Sequence, residues 1–352
     1  MLKLKNTAMF LVAALCGYLA LMTPDWKAEL IAASGPGYQS DVDGDGDDDL
    51  IQVNGADNVK VYEIQNSASL GAAIDANVPN YVTLGDFDGD DDVDYLGWDG
   101  VGSLIITEME NRAAVTTHDL GTFNSAYEVV GVGDFDGDED DDIAFYRASD
   151  GRVVTFQMEN NAKVAQNWMG DFLQTAYRPV GLGDVDGDGD DDFFFARYTG
   201  ADNNLVVVWW FQNGTRNDKL NDGAWLQSYY NNAYKVRGIA DTDGDGDDDV
   251  VWRSNADGNT VVWQTGYDVA KSRPAVDLNQ WAGQFGNTAF DIVETGDTNG
   301  DGVEDLIWYN SASGATNTWE MAGNAMAQSK SILATSNTAF APAERDFTRK
   351  YD

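Results

Sequence analysis

The sequence predicts an all-β propeller of six blades, each of four antiparallel strands, with seven blades as the alternative. Three observations predict it. An acidic nonamer, Asp-x-Asp/Asn-Gly-Asp-x-x-x-Asp, occurs six times: Asp41–Asp49, Asp86–Asp94, Asp134–Asp142, Asp184–Asp192, Asp241–Asp249 and Asp297–Asp305, loops one to six. Successive copies start 45 to 57 residues apart, the length of one propeller blade. Each copy runs into a short apolar segment rich in β-branched and aromatic residues, such as Phe193-Phe194-Phe195 or Val250-Val251-Trp252. Segments of that length and composition, bounded by turn residues, read as buried strands.

The chain starts differently. Lys3 and Lys5 precede an apolar stretch from Ala8 to Met22, interrupted by Gly17 and followed by Pro24 and Asp25. A basic start with an apolar run shorter than a membrane span of ~20 residues fits a secretory signal peptide, with an uncleaved signal anchor as the alternative. Residues 1–34 are therefore expected to direct export, and residues 35–352 to form the propeller. The expected location is extracellular, periplasmic or at the cell surface. Cys16 is the sole cysteine, so no intramolecular disulfide is available and core packing and metal must hold the fold.

Each repeat reads in four parts: a leading segment, the nonamer with its apolar strand, a turn to a second strand, and a variable stretch. The second strands are expected at Val59–Ile64, Leu104–Met109, Val153–Met158, Leu205–Phe211, Thr260–Gln264 and Thr316–Met321. The variable stretch often carries a tryptophan, as at Trp168, Trp225 and Trp281. Leading segments share a small residue followed by an aromatic: Ala126-Tyr127, Ala176-Tyr177, Ala233-Tyr234 and Ala289-Phe290, with Asn80-Tyr81 a degenerate copy. Loop one lacks this signature, yet it appears once more, without a loop after it, at Ala339-Phe340. The strand near Phe340 is thus expected to complete the blade of loop one and hide both sheet edges.

Of the 60 acidic residues, 35 lie in the nonamers, leaving 25 against 21 Lys and Arg. The net charge of −39 therefore belongs to the loops and not to the general surface. No basic patch offsets phosphate repulsion, which excludes nucleic acid as a partner. His118 is the only histidine and stands in a polar stretch, so it reads as a surface residue. One histidine and one cysteine exclude a zinc site.

Oxygen-bearing side chains at positions 1, 3, 5 and 9 suit a hard cation such as calcium, which takes six to eight oxygens. An EF-hand is excluded, because it requires Glu at position 12, where this chain has Gln52, Gly97, Phe145, Phe195, Trp252 and Trp308. The pattern resembles the FG-GAP/VCBS repeats, also found in integrin α-subunit propellers, in stretches such as Gly183–Asp192 and Gly296–Trp308. The resemblance covers nearly everything from about residue 36 onward. It implies a propeller holding about six calcium ions, one in each loop between the first two strands of a blade.

Carried over by position, the resemblance implies four side-chain ligands and one backbone carbonyl per loop. These are Asp41, Asp43, Asp45 and Asp49 with the carbonyl of Asp47; Asp86, Asp88, Asp90 and Asp94 with Asp92; and Asp134, Asp136, Asp138 and Asp142 with Asp140. Further along they are Asp184, Asp186, Asp188 and Asp192 with Asp190; Asp241, Asp243, Asp245 and Asp249 with Asp247; and Asp297, Asn299, Asp301 and Asp305 with Val303. Loop six departs most, through Asn299 and Val303.

No catalytic constellation stands out, which favours an exported recognition or adhesion module for a glycan or extracellular protein. Trp98, Arg147, Arg197, Arg253, Trp308 and Tyr309 follow the loop strands and are the candidate lining of clefts between blades. A calcium-dependent polysaccharide lyase and a self-assembling subunit of a surface layer or filament are the alternatives.

Overall fold

The computed structural model describes residues 40–342, except 55–57, 72–73, 91, 100–101, 111–112, 172–176, 198–204, 217–223, 229–232 and 334–340. The expected export segment, residues 1–34, lies outside the described residues. Among the described residues no helix is long and apolar enough to cross a membrane.

The chain is an all-β propeller. Five four-stranded antiparallel sheets are each built from one stretch of chain. The sheet of loop two runs Tyr81–Gly85, Asp94–Gly97, Ser103–Glu110, Ala113–Thr122, and that of loop three Glu128–Gly133, Asp142–Arg147, Arg152–Glu159, Ala162–Asp171. Loop four has Tyr177–Gly183, Asp192–Arg197, Leu205–Trp209 and Ala224–Ser228. Loop five has Tyr234–Ala240, Asp249–Ser254, Asn259–Asp268 and Arg273–Gln284, and loop six Phe290–Gly296, Asp305–Asn310, Ala315–Ala322 and Ala325–Leu333.

A further four-stranded sheet draws on both ends of the described chain, in the order Ala341–Pro342, Leu50–Asn54, Asn58–Tyr62, Ile74–Asn77. Ala341 stands opposite Val53, and Pro342 opposite Gln52. That register matches the sheet of loop three, where Glu128 stands opposite Tyr146. The C-terminal strand thus takes the place of a leading strand, as the repeated signature predicts. Phe340 itself lies outside the described residues.

The leading strands of loops two to six pack against one another in chain order, which sets them innermost. Between sheets lie apolar seams. Phe135, Phe193, Phe195, Trp209 and Phe211 fill one; Phe145, Phe156 and Trp98 another; Trp308, Trp319 and Phe290 a third. Large aromatics bury the most area per residue, so an acid-rich rim can rest on a dry interior.

Candidate metal centre

In loops two to six the nonamer links an innermost strand to the second strand of its sheet, whereas in loop one it only leads into the second strand; its first aspartate winds the turn. In loop one, Oδ1 of Asp41 accepts the N–H groups of Gly44 at 2.8 Å and Asp45 at 3.2 Å, and Oδ2 accepts that of Gly46 at 2.8 Å. Asp184, Asp241 and Asp297 do the same for their loops. The fourth residue turns the chain back at φ near +70°, which glycine adopts without a Cβ penalty. Loop three also places Glu139 at φ 74°, a conformation unusual for a side-chain-bearing residue.

Position 9 is the buried anchor. Asp49, Asp94, Asp142, Asp192, Asp249 and Asp305 are all buried, and Oδ1 of each accepts a backbone N–H from the third strand or, in loops one and four, from the residue two beyond its end. The donors are Ile64, Met109, Met158, Phe211, Thr265 and Met321, at 2.7 to 3.1 Å. Position 5 is exposed, and its Oδ1 accepts the N–H of position 7, as Asp45 does from Asp47 at 3.0 Å. At position 7, the carboxylates of Asp47 and Asp140 accept the N–H groups of Asn66 and Asn160, so these side chains brace a hairpin. That leaves the backbone carbonyl as the group position 7 can offer an ion.

Position 3 decides the fit to a cation. Oδ1 of Asp88, Asp136, Asp186 and Asp243 is buried and has no hydrogen-bond partner. The other oxygen is held: Asn161 Nδ2 donates to Asp88, Gln157 to Asp136, and Gln264 and Asn324 to Asp243. A buried carboxylate oxygen left so is costly unless an ion or proton meets it.

The carboxylates converge. In loops one, two, three and five, positions 1, 3 and 5 bring ligand oxygens within 4.8 Å of one another, and in loop four Asp184, Asp186 and Asp192 do so. Oxygens around a calcium ion at 2.3–2.6 Å lie about 5 Å apart across the shell. The donor set is hard and oxygen-only, so the residues fit calcium. Among the described residues loop six forms no such triad. There Asn299 Nδ2 donates to Asp305 Oδ2 at 3.1 Å, and the Thr298 hydroxyl donates to the same oxygen at 2.5 Å.

Electrostatics points the same way. Burial, then crowding by neighbouring aspartates, pushes Asp88 and Asp136 up to about 6 and Asp186 to about 7. Burial raises Asp49, Asp94 and Asp249 to about 8 and Asp142 to about 9. Without a cation the loops retain protons near neutrality, and an ion must displace them.

The residues expected to line clefts are mostly interior, a correction to the sequence reading. Trp308 is fully buried against Trp319 and Phe285, Trp98 meets Phe145 edge-on, and Tyr309 is buried. Arg253 is buried over Trp308 and donates to the carbonyl of Phe290 at 2.6 Å. Arg147 and Arg197 are half-buried over Tyr127 and Tyr177. All serve the seams, because the apolar strand after each nonamer is sandwiched between sheets.

Two exposed tryptophans lie on the outermost strands instead. Trp168 is 65% exposed and Trp281 62%. Trp168 stands opposite Val154, Trp225 opposite Val207 and Trp281 opposite Val261, each beside a register shift in three successive sheets. His118, also on an outermost strand, lies 2.5 Å from Glu108.

No protein-family description and no curated protein matches the chain. Among solved structures, it is similar to a chain of the nidogen/laminin complex (TM-score 0.45, 10% identity, covering 80% of this chain and 92% of that one). The periplasmic gluconolactonase PpgL of Pseudomonas aeruginosa is similar at TM-score 0.44 and 12% identity, covering 84% and 98%. Hsv2 of Kluyveromyces lactis is similar at TM-score 0.36 and 14% identity, covering 66% and 70%.

Proposed function

We propose that this chain is an exported, calcium-stabilised propeller of the FG-GAP/VCBS type that works by recognition and not by catalysis. In this reading six blades close into a ring, Ala341–Pro342 completing the blade of loop one, and calcium occupies the nonamers. The observation that carries the metal assignment is the buried Oδ1 of Asp88, Asp136, Asp186 and Asp243, which lacks any donor beside converging carboxylates. In the ion's presence Asp41 and its equivalents would hold both the turn and the ion, while the position 9 aspartates tie it to the third strand or to the residues just past its end.

Recognition is supported by Trp168 and Trp281. Both rings stand on outermost strands that also expose Val164 and Leu278, so each offers apolar surface on which a ligand can stack. Two positions before each ring, on the same strand face and also exposed, stand the uncharged amides Gln166 and Asn279, and stacking rings beside amides suit the C–H faces and hydroxyls of a glycan. The test is a glycan array with and without calcium, followed by Trp168→Ala and Trp281→Ala. Binding should fall at least tenfold in the double variant with the melting temperature unchanged. Equal binding by the variant, or release of unsaturated sugars from uronic-acid polymers, would overturn this reading.

A further inference from the structure

Among the described residues, four of the hairpins between third and fourth strands rest on the nonamer of the neighbouring sheet. In each, one residue donates its N–H to the carbonyl of position 2: Asn161 to Phe87 at 2.8 Å, Gly214 to Phe135 at 2.9 Å, Asn324 to Thr242 at 3.1 Å and Ser67 to Thr298 at 2.6 Å. All four residues are in the left-handed region, at φ between 59° and 67°. One backbone bond, the same whatever the side chain, thus seats each of these sheets on its neighbour's loop.

The side chains at this place differ, and two of them enter the acid cluster. Asn161, in the sheet of loop three, donates Nδ2 to Oδ2 of Asp88 in loop two at 2.5 Å. Asn324, in the sheet of loop six, donates Nδ2 to Oδ2 of Asp243 in loop five at 2.5 Å. Asp88 and Asp243 are the position 3 residues whose Oδ1 is buried without a hydrogen-bond partner. Holding Oδ2 fixes the plane of a carboxylate that closes to within 4.8 Å on Asp86 and Asp90, or on Asp241 and Asp245.

The other two hairpins do not do this. Ser67 directs its hydroxyl to Glu320 at 2.6 Å. At Gly214 a Cβ would meet the Cβ of Asp136 at 2.9 Å, and Asp136 is held from its own sheet by Gln157. Gln264 helps to hold Asp243 in the same way. The residue that corresponds to Gln157 in the sheet of loop two is Glu108, one place before Met109, and an ionised acid has no proton to donate. Loop two therefore relies on the amide of Asn161.

A left-handed turn by itself calls for asparagine or glycine. Gly214 meets that need at no polar cost, whereas Asn161 is 1% exposed and its Oδ1 is buried without a hydrogen-bond partner. An amide buried with its oxygen unsatisfied is a loss for the turn, so the turn does not account for it and the bond to Asp88 does.

Building on the calcium reading of the loops, we propose that Asn161 and Asn324 are positioning residues that complete the ion sites of loops two and five from the neighbouring sheet. These two sites then form fully only when that sheet is docked. Partners that orient a metal's ligands change affinity about 10–100-fold. The experiment is hydrogen exchange of the full chain across a calcium titration, read as a separate midpoint for peptides spanning each nonamer. Asn161→Gly keeps the left-handed turn and the bond to Phe87 and removes the amide. It should raise the loop two midpoint about tenfold and leave loops three and four unmoved. Asn324→Gly should raise the loop five midpoint by less, because Gln264 still holds Asp243, and it serves as the second variant if Asn161→Gly does not fold. Midpoints at parental values in both variants overturn the proposal and leave the asparagines as turn formers. A rise shared equally by all loops overturns it too, because the loss is then one of general stability. A parent whose exchange ignores calcium at every loop is distinct from both, and overturns the loop reading together with this proposal.

Discussion

Between loops five and six, the N–H of Glu304 donates to the carbonyl of Asp241 at 2.9 Å, and the Glu304 carboxylate takes the N–H of the same residue. Between loops one and two that place belongs to Val93, buried with Val42, Ile51, Leu84 and Tyr95. The backbone bond of the first seam recurs from Asp48 to Asp297, Asp141 to Asp86, Asp191 to Asp134 and Asp248 to Asp184. One repeat therefore closes its seams in two ways. The acid seams add hydrogen bonds but gather negative charge. The Val93 seam relies on apolar burial, which is indifferent to cation and nearly so to pH.

Chelation should separate the two most strongly. A site filled at a hundred times its Kd contributes about 2.7 kcal/mol. Several such sites should make a chelator lower the melting temperature by on the order of 20 °C, at ~2–4 °C per kcal/mol. Hydrogen exchange in chelator should find Asp94–Gly97, beside the Val93 seam, protected longer than Asp249–Ser254, which has acid seams on both sides. Equal exchange would break the comparison.

The pH dependence comes next in size. Asp49, Asp94 and Asp249 are held near 8 in the folded chain against 3.8 in the unfolded one, so the folded state keeps protons the unfolded state has lost. Cation-free stability should therefore fall as pH rises from about 4 to about 8, by on the order of several kcal/mol. Calcium affinity should rise over the same range, as protons cease to compete. Melting curves in chelator and calcium titrations at pH 5.5 and 8 check both signs, and a cation-free protein that stabilises toward pH 8 would contradict the burial argument.

Single loops sharpen the comparison further. Asp186→Ala should remove one bound ion and about 2–3 kcal/mol at saturating calcium. Asn299→Asp should do the reverse for loop six, replacing the amide that now donates to Asp305 and completing a triad. Ion counting by mass spectrometry of the native protein reads both. The smallest effect belongs to Asp141→Val, which converts an acid seam to the Val93 type. It should raise the melting temperature in chelator by a few degrees and leave it nearly unchanged in calcium.

Much of this was legible in the sequence because the nonamer imposes its own geometry. Six copies at blade spacing and apolar runs after each led to an all-β propeller of four-stranded sheets, and the stray leading signature led to the C-terminal pairing of Ala341 with Val53. The tryptophans were not legible. Trp308 and Trp281 look equally suited to a cleft in one dimension, yet the first is interior and the second stands on the outer wall. What separates them is position within the sheet: Trp308 lies on a second strand covered on both faces, while Trp281 lies on an edge strand beside a register shift between Thr260 and Val261. A one-residue shift reassigns the faces of a strand and leaves no compositional trace. Position 8 was hidden for another reason. Its acids read as more of the same loop charge, and only their bonds to the preceding loop distinguish them.

The joined sheet also sets how the ring bears tension. Among the described residues it alone is assembled from distant stretches, and its terminal partner contributes two residue pairs, Val53 with Ala341 and Gln52 with Pro342. A pull applied across the two chain ends loads that clasp before any other sheet. In a single-molecule stretching trace the clasp should give way first, with little extension. Each sheet that unravels afterwards should then release the length of its own repeat, roughly 150–190 Å for 45 to 57 residues. With calcium present those later steps should move to higher force, while the first, which involves no nonamer, should stay where it was.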